Sequence, residues 1–352
     1  FDCRGVAADS VATRVVQWQV EHGRSYLPWQ QTRDPYRVWL SEIMLQQTQV
    51  VTVLDYYARF LERFPDVRAL AAASLDDVLS LWSGLGYYSR ARNLHRCAQR
   101  VVDEFDGVFP ATVALLADLP GIGRSTAGAI AAFCFSQRAP ILDANVRRVL
   151  TRLLGFDADL AVAKNERALW GLAESLLPLD QLSVNMPRYT QGMMDLGATI
   201  CVPRNPQCLI CPLVGSCVAQ KSGEPEKYPV KTRKLSRRSE AWWLLVVQRH
   251  DGAVWFETRP PKGIWAGLQC VPVFSDRDAL WALASSLSSA DQIREADAFL
   301  HVLTHRDLHL HPVVVQGQAD SSFMGDGRWL VKDQWSNAGL PAPIRKMLDA
   351  LV

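Results

Sequence analysis

Four of the eight cysteines fall in one run, Cys201, Cys208, Cys211 and Cys217, separated by six, two and five residues. Thiols this close can share one metal centre, and such a centre forces the intervening chain to wrap tightly around it. An iron–sulfur cluster takes four Cys ligands on short loops. Tetrahedral zinc is the rival, but zinc sites usually pair two short Cys-x-x-Cys knuckles. Only Cys208 and Cys211 form such a knuckle. Disulfides fit least: FDCRGVAADS shows no export signal, and Cys3, Cys97, Cys134 and Cys270 are scattered. The run points to a [4Fe–4S] cluster ahead of zinc and of disulfides, and to a reduced, cytoplasmic setting.

A length of 352 residues allows two domains or more. No apolar run approaches the roughly 20 residues of a membrane span, so no membrane partner is expected. The net charge is only +2, but it is unevenly spread. Val78–Val102 lacks acids and carries Arg90, Arg92, Arg96 and Arg100; Lys227–Ser239 is likewise free of acids and holds six basic residues. Such stretches suit a polyanion, although a solvated helix face or a basic linker would look the same.

From residue 10 to about 219 the pattern is helical. Apolar residues recur at helical spacing in Val11–His22, Tyr36–Phe64, Leu75–Leu81, Ala91–Phe105, Ser125–Ser136, Val146–Leu154 and Glu166–Leu177. Residues 220–239 have linker composition. Beyond them Trp242–Gln248 and Val254–Glu257 read as strands around an Asp251-Gly252 turn, and Leu308–Val315 as another. The expected organisation is therefore a mainly α domain at 1–219, a basic linker at 220–239 and a smaller α+β domain at 240–352.

Three motifs carry chemistry. In Leu119-Pro120-Gly121-Ile122-Gly123-Arg124-Ser125, Gly121 and Gly123 sit between two helical segments, where backbone N–H groups at a helix start can seat a phosphate. Gly-x-Gly alone is weak, since a structural helix hairpin looks similar. Asp143 follows Gly123 by twenty residues. It also suits the N-cap of the helix at Val146–Leu154, and the two roles can coexist. Glu42 has Val38, Trp39 and Leu45 as helical neighbours. An apolar face would raise its pKa and favour an acid role; a solvent-tipped Glu at a core edge fits the spacing equally.

The segments SEIMLQQTQV, LWSGLGYYSRARNL, LPGIGRSTAGAI and PILDANVRRVL, with the cysteine run, resemble adenine DNA glycosylases of the MutY type, within the helix–hairpin–helix superfamily that includes endonuclease III. The resemblance runs from about Leu27 to Cys217. More loosely, RPPKGIWAGLQCVP and LHVLTHRDLHLHP resemble that family's Nudix-like domain.

The resemblance implies a monomeric bacterial, nucleoid-associated enzyme acting on double-stranded DNA. It removes adenine opposite 8-oxoguanine or guanine after flipping the base out of the duplex. Glu42 falls on the family's catalytic acid, which protonates adenine N7. Asp143 stabilises the oxocarbenium-like sugar or adds to it, and Asn145 supports Asp143. Trp29, Leu45 and Val50 would line the adenine pocket. Gln47 and Tyr87 would enter the base stack, while Thr48 and Leu85 lie near the orphan base. Gly121, Gly123 and Ser125 would contact the DNA backbone, as would Arg204 beside the cluster. Lyase members carry a Schiff-base lysine where Ser125 stands, so a monofunctional glycosylase is implied. Arg147, often lysine in the family, points the same way. Thr304 and His305 would read 8-oxoguanine, with Leu303-Thr304-His305 in place of the usual Phe-Ser-His. No metal-binding Nudix box follows Gly267: DRDALWALASSLSS stands there, so no nucleotide hydrolysis is expected. His301, His305, His309 and His311 share no single secondary-structure face, which argues against zinc. A lyase like endonuclease III conflicts with Ser125, and a cluster-bearing redox sensor would need neither carboxylate.

Overall fold

The structure, a computed structural model, describes residues 8–232, 237–316 and 326–352. Cys3, with the rest of the opening residues 1–7 read for an export signal, lies outside them, as do Arg233 and Lys234 of the basic segment. In chain order the first helices are α1 (Ala8–His22), α2 (Pro35–Leu45), α3 (Val50–Arg63), α4 (Val67–Ala72), α5 (Leu75–Trp82) and α6 (Ser89–Phe105). Next come α7 (Val113–Asp118), α8 (Arg124–Phe135), α9 (Ala144–Leu154), α10 (Ala163–Ser175), α11 (Leu182–Thr199) and α12 (Val218–Lys221). The rest comprises β1 (Arg238–Gln248), β2 (Val254–Thr258), β3 (Gln269–Cys270), β4 (Val273–Phe274), α13 (Arg277–Leu287), β5 (Ile293–Glu295), β6 (Phe299–Val302), β7 (Arg306–Gln316), β8 (Gly327–Leu330), α14 (Lys332–Ser336) and α15 (Ala342–Leu351).

Local chemistry sets several of these boundaries. Asp34, Ser74, Thr112 and Asp143 each accept a backbone N–H of the turn they precede, satisfying an otherwise orphaned donor. Gly155 ends α9 in the left-handed region at φ 60°, which costs glycine little. The expected single helix over Tyr36–Phe64 does not form. It breaks at Gln46–Gln49, where Gln47 adopts φ 58°. No Gly or Pro marks the break. Its cause lies in packing: α2 is buried on nearly all sides, whereas α3 buries only the stripe Val53, Tyr57 and Phe60. Separate helices let each be aimed at its own surroundings. The apolar spacing also leaves α11 undelimited, because Pro187 interrupts the pattern near its start.

The described residues fall into two compact units: 8–49, 66–68 and 96–232 in one, and 50–65, 69–95, 237–316 and 326–352 in the other. The first unit is helical. Its core gathers Val11 and Val15 of α1, Val149 and Leu153 of α9, Leu169 of α10 and Met193 and Leu196 of α11. At Gly197 a Cβ would stand 2.7 Å from Asn145 Cβ, so α9 and α11 touch backbone to backbone. Beyond α12 the chain stays on this unit, with Leu160 N donating to Val230 O at 3.2 Å.

The second unit contains a mixed sheet in the order β3-β2-β1-β7-β5. β1 and β7 run parallel over their full length, from Arg238 opposite Arg306 to Gln248 opposite Gln316. β2 pairs with β1 through the Asp251-Gly252 turn, with Gly252 at φ 83°. Leu245, Val247, Val313 and Val315 pack under Leu280 and Ala284 of α13. The stretch 299–316 forms the hairpin β6–β7, which places Leu303–Arg306 at its tip, closed by Leu303 N donating to Arg306 O at 2.8 Å.

The Gly197 crossing leaves no room for a methyl group. Gly197→Ala is expected to cost about 1–3 kcal/mol of stability through overpacking. Urea unfolding checks it, and a midpoint equal to wild type would mean that the helices separate freely.

Candidate active site

Helix α2 delivers Glu42. Asp34 Oδ1 accepts from Tyr36 N at 3.0 Å and Pro35 occupies the first helical position, so the helix starts firmly. Val38 and Trp39 are buried, and Glu42 stands beside them facing an open cavity of about 370 Å³. That volume lies within the range of small-molecule sites, about 300–1,000 Å³. Trp29, Gln30, Arg33, Phe133 and Gln191 line the same cavity. Leu45 is not among its lining residues, and Val50 begins α3 in the other unit. The Glu42 carboxyl is pushed up to about 8, first by burial and then by the negative charge of Asp143.

Asp143 arrives by a different route. It caps α9, its Oδ1 accepting from Val146 N at 2.7 Å. The residue before it, Leu142, donates its N–H to Ser125 Oγ at 3.0 Å, so the helix after the Gly-x-Gly turn fixes the approach to the aspartate. Burial raises the Asp143 carboxyl, while the N–H bonds at the start of α9 and the charges of Arg148 and Arg147 pull it down. Glu42 lacks those stabilisers. The two carboxyls therefore sit in different electrostatic surroundings, both raised by burial but only Asp143 opposed by N–H groups and guanidinium charges.

The side chains Asn145, Arg148 and Arg152 form an i, i+3, i+7 stripe on α9. Arg148 donates to Asn145 Oδ1 at 2.8 Å, to Gly197 O at 2.6 Å and to Cys201 O at 2.7 Å. Arg152, 2 % exposed, donates to Val202 O and Pro203 O and approaches Cys201 Sγ at 3.4 Å. Cys201, Cys208, Cys211 and Cys217 all line one small pocket together with Arg152. They are free, partly buried thiols facing one pocket, which suits a group bound through sulfur. Among the described residues no three His, Cys, Asp or Glu side chains are arranged to hold a single metal ion.

The Leu119–Gly123 hairpin joins α7 to α8. Gly121 has φ 79°, and a Cβ at Gly123 would meet nothing within 4 Å, so the backbone at the start of α8 is open to an approaching group. Gln47 is exposed in the break after α2, with Thr48 N bonded back to Leu45 O. In the second unit, Gly84–Tyr88 makes a tight turn in which Gly84, Gly86 and Tyr87 all have positive φ. Leu85 is buried within it, while Tyr87 is 44 % exposed. Tyr87 OH and Thr304 Oγ1 share a hydrogen bond, and Thr304 and His305 are both exposed at the β6–β7 tip. His301, near Trp265, lies on β6; His309, bonded to Ser239, and His311, stacked on Trp243, lie on β7.

Sequence reasoning missed Gln30, Gln191, Arg148 and Arg152. Gln30 Nε2 is buried without a partner in the cavity wall, and Gln191 Nε2 donates to the fully buried Asp195 at 2.9 Å. The α9 stripe was readable as three polar residues at helical spacing. Neither glutamine carried any local signal.

A glycine hairpin, a helix-capping aspartate and a desolvated glutamate define a base-excision repair fold of the helix–hairpin–helix class. Residues 40–175 match the HhH-GPD superfamily base excision DNA repair protein family, and residues 243–350 match the NUDIX domain. The adenine DNA glycosylase of Buchnera aphidicola from Acyrthosiphon pisum is 38% identical over 339 residues, 95% of this chain and 95% of that one. The human adenine DNA glycosylase is 31% identical over 95% of this chain and 72% of its own. The chain belongs to the adenine DNA glycosylase family. Among solved structures, a thermostable thymine-DNA glycosylase superposes with a TM-score of 0.54 at 27% identity, over 61% of this chain and 97% of that one. An endonuclease III–DNA complex gives 0.51 at 21%, over 62% and 98%, a likeness of fold alone.

Burial of Glu42 has a consequence for stability. Between the ordinary carboxyl value of 4.5 and about 8, the folded state keeps a proton that the unfolded chain has released. The native form then binds more protons, and raising pH costs stability across that window. Glu42→Gln, measured by denaturation against wild type, is expected to gain in relative stability as pH rises from 4.5 to 8. A constant difference over that window would contradict the burial of this carboxyl.

Proposed function

We propose that this enzyme excises adenine opposite 8-oxoguanine, and less efficiently opposite guanine, with Glu42 as acid and Asp143 as the charge that faces the sugar. The observation that carries this reading is the pairing of a carboxyl raised to about 8 with an aspartate held by a helix N-terminus. Protonated Glu42 gives its proton to adenine N7, the C1′–N9 bond breaks, and the ionised Asp143 balances the positive charge left on the sugar. Water then adds to C1′ and its proton returns to the Glu42 carboxylate, which completes hydrolysis and restores the acid. In the cavity, the buried Gln30 amide supplies a donor and the Gln191 carbonyl an acceptor, a set that matches the edge of adenine. Trp29 offers a stacking face.

Ser125 cannot form an imine with the sugar, and its hydroxyl is already engaged with Leu142 N, so the reaction stops at an abasic site. Gln47 and Tyr87 each enter the base stack of the DNA, and the open backbone at Gly121–Gly123 takes phosphate. Thr304 and His305 read the opposing base: guanine presents an N7 acceptor, whereas 8-oxoguanine presents an N–H donor, which a hydroxyl oxygen can accept. The roles divide as a catalytic domain at 1–219, a linker at 220–239 and a damage-reading domain at 240–352. Cys201, Cys208, Cys211 and Cys217 hold a [4Fe–4S] cluster, supported by the pocket that all four thiols line. When bound, it supplies a rigid cross-link to the loop that Arg148 and Arg152 already grip.

Single-turnover cleavage of a duplex with adenine opposite 8-oxoguanine, developed with alkali, tests the chemistry. Wild type should cleave, and Glu42→Gln should lose about 10²–10⁴-fold, the range of a general acid. Borohydride should trap little covalent adduct. Wild-type rate in the Gln variant would exclude Glu42 as the acid, and strong trapping would exclude the monofunctional reading. Iron analysis and visible absorption of the purified protein test the cofactor. Four irons per chain are expected, falling in Cys208→Ser; zinc in their place would refute the cluster.

A further inference from the structure

The turn that presents Tyr87 is strained; Trp82 Nε1 and the Arg90 guanidinium donate to its carbonyls from nearby in the chain, and a segment far away in sequence holds the residues that flank it. Gly84, Gly86 and Tyr87 have φ of 104°, 69° and 48°, and only the glycines adopt such values freely. Around this turn the segment 335–345 supplies a set of hydrogen bonds. Ser80 Oγ donates to Asn337 O. Ser83 Oγ donates to Leu340 O at 2.9 Å, and Tyr88 OH donates to the same carbonyl at 3.3 Å. The Arg345 guanidinium donates to Ser83 Oγ at 3.3 Å, to Ala338 O at 2.7 Å, to Trp335 O at 3.4 Å and to Ser336 O. On the other side Tyr56 OH donates to Ser83 O at 2.7 Å. The fit is close: a Cβ at Gly339 would stand 3.0 Å from Leu79 Cβ, and one at Gly84 only 2.1 Å from Tyr56 OH.

We propose that Arg345 and Ser83 form a clamp that holds the Gly84–Tyr87 turn in the shape from which Tyr87 enters DNA, which makes Arg345 a positioning residue for adenine excision. A half-buried guanidinium is costly unless its N–H groups find acceptors. Here those acceptors are three carbonyls of 335–338 and the hydroxyl at the entrance to the strained turn. Nothing about the fold of the sheet requires that last contact, because the acceptor lies on the α5 end and outside the sheet. The contact instead stops Ser83 from relaxing, so that the strain of the turn stays where Tyr87 needs it. The inference rests on the proposed role of Tyr87 as a wedge.

The test uses the full chain and a duplex carrying a cleavage-resistant 2′-fluoro adenosine opposite 8-oxoguanine, with a matched duplex as control. Arg345→Met, which removes the Ser83 contact along with three bonds to carbonyls, is expected to weaken lesion binding about tenfold through the lost hold on Ser83, with matched-duplex binding unchanged and Arg345→Lys restoring part of the loss. Tyr87→Ala should weaken lesion binding at least as much, and the Tyr87→Ala/Arg345→Met pair no more than Tyr87→Ala alone. If the two losses add, or Arg345→Met binds like wild type, the clamp is wrong and the wedge stands. If Tyr87→Ala itself binds like wild type, the wedge reading falls and the clamp with it. Should Arg345→Met fail to fold, Ser83→Ala removes the same contact and carries the same comparison.

Discussion

Two desolvated carboxyls in unlike surroundings, Glu42 pushed up to about 8 and Asp143 held at the start of a helix, are the arrangement on which the rest of this protein depends. Desolvation alone would raise both groups, and two buried carboxyls of equal strength would share a single proton ambiguously. Burial raises both, but Asp143 also receives the first N–H groups of α9 and the charges of Arg147 and Arg148, which pull against that rise, while Glu42 faces a cavity of mixed polar and apolar lining and is raised further by the Asp143 charge. The asymmetry comes from secondary structure: one carboxylate caps a helix, and the other projects from the middle of one.

Helix α9 carries this asymmetry outward. Its cap is Asp143, its first turn holds Asn145, and Arg148 and Arg152 continue the same stripe to the cysteine loop. Each guanidinium satisfies carbonyls left open at the end of α11 and in the loop that follows it. The close approach at Gly197 keeps that path short. A loop with little secondary structure of its own is thereby fixed to the helix that orients a candidate catalytic carboxylate.

Much of the fold was legible in local pattern. The helices around the glycine hairpin, the Asp143 cap and the Asp251-Gly252 turn all follow from spacing and turn chemistry that a few neighbouring residues determine. The break at Gln46–Gln49 was not legible, because its cause is the different surroundings of α2 and α3 and its residues carry no helix-stopping signal. Gln191 was hidden for a related reason: whether a helical glutamine faces a cavity or solvent depends on what packs around the helix. Leu85 stands in a motif that resembles a DNA-contacting turn, yet its side chain is buried, and only the packing of that turn reveals it.

By itself the sequence determined the chemistry that could be present. The four clustered thiols, a glutamate among apolar neighbours, an aspartate after a glycine hairpin, and a serine in place of a lysine are facts of residue identity and short spacing. Only the tertiary structure decided how those groups act on one another. It buried Glu42 within reach of the Asp143 charge, drew Arg148 and Arg152 to the cysteine loop, and set Thr304 against Tyr87 across more than two hundred residues. The physical reason is that pKa values, strain and burial are properties of surroundings, and these surroundings are assembled from segments that the chain order keeps far apart.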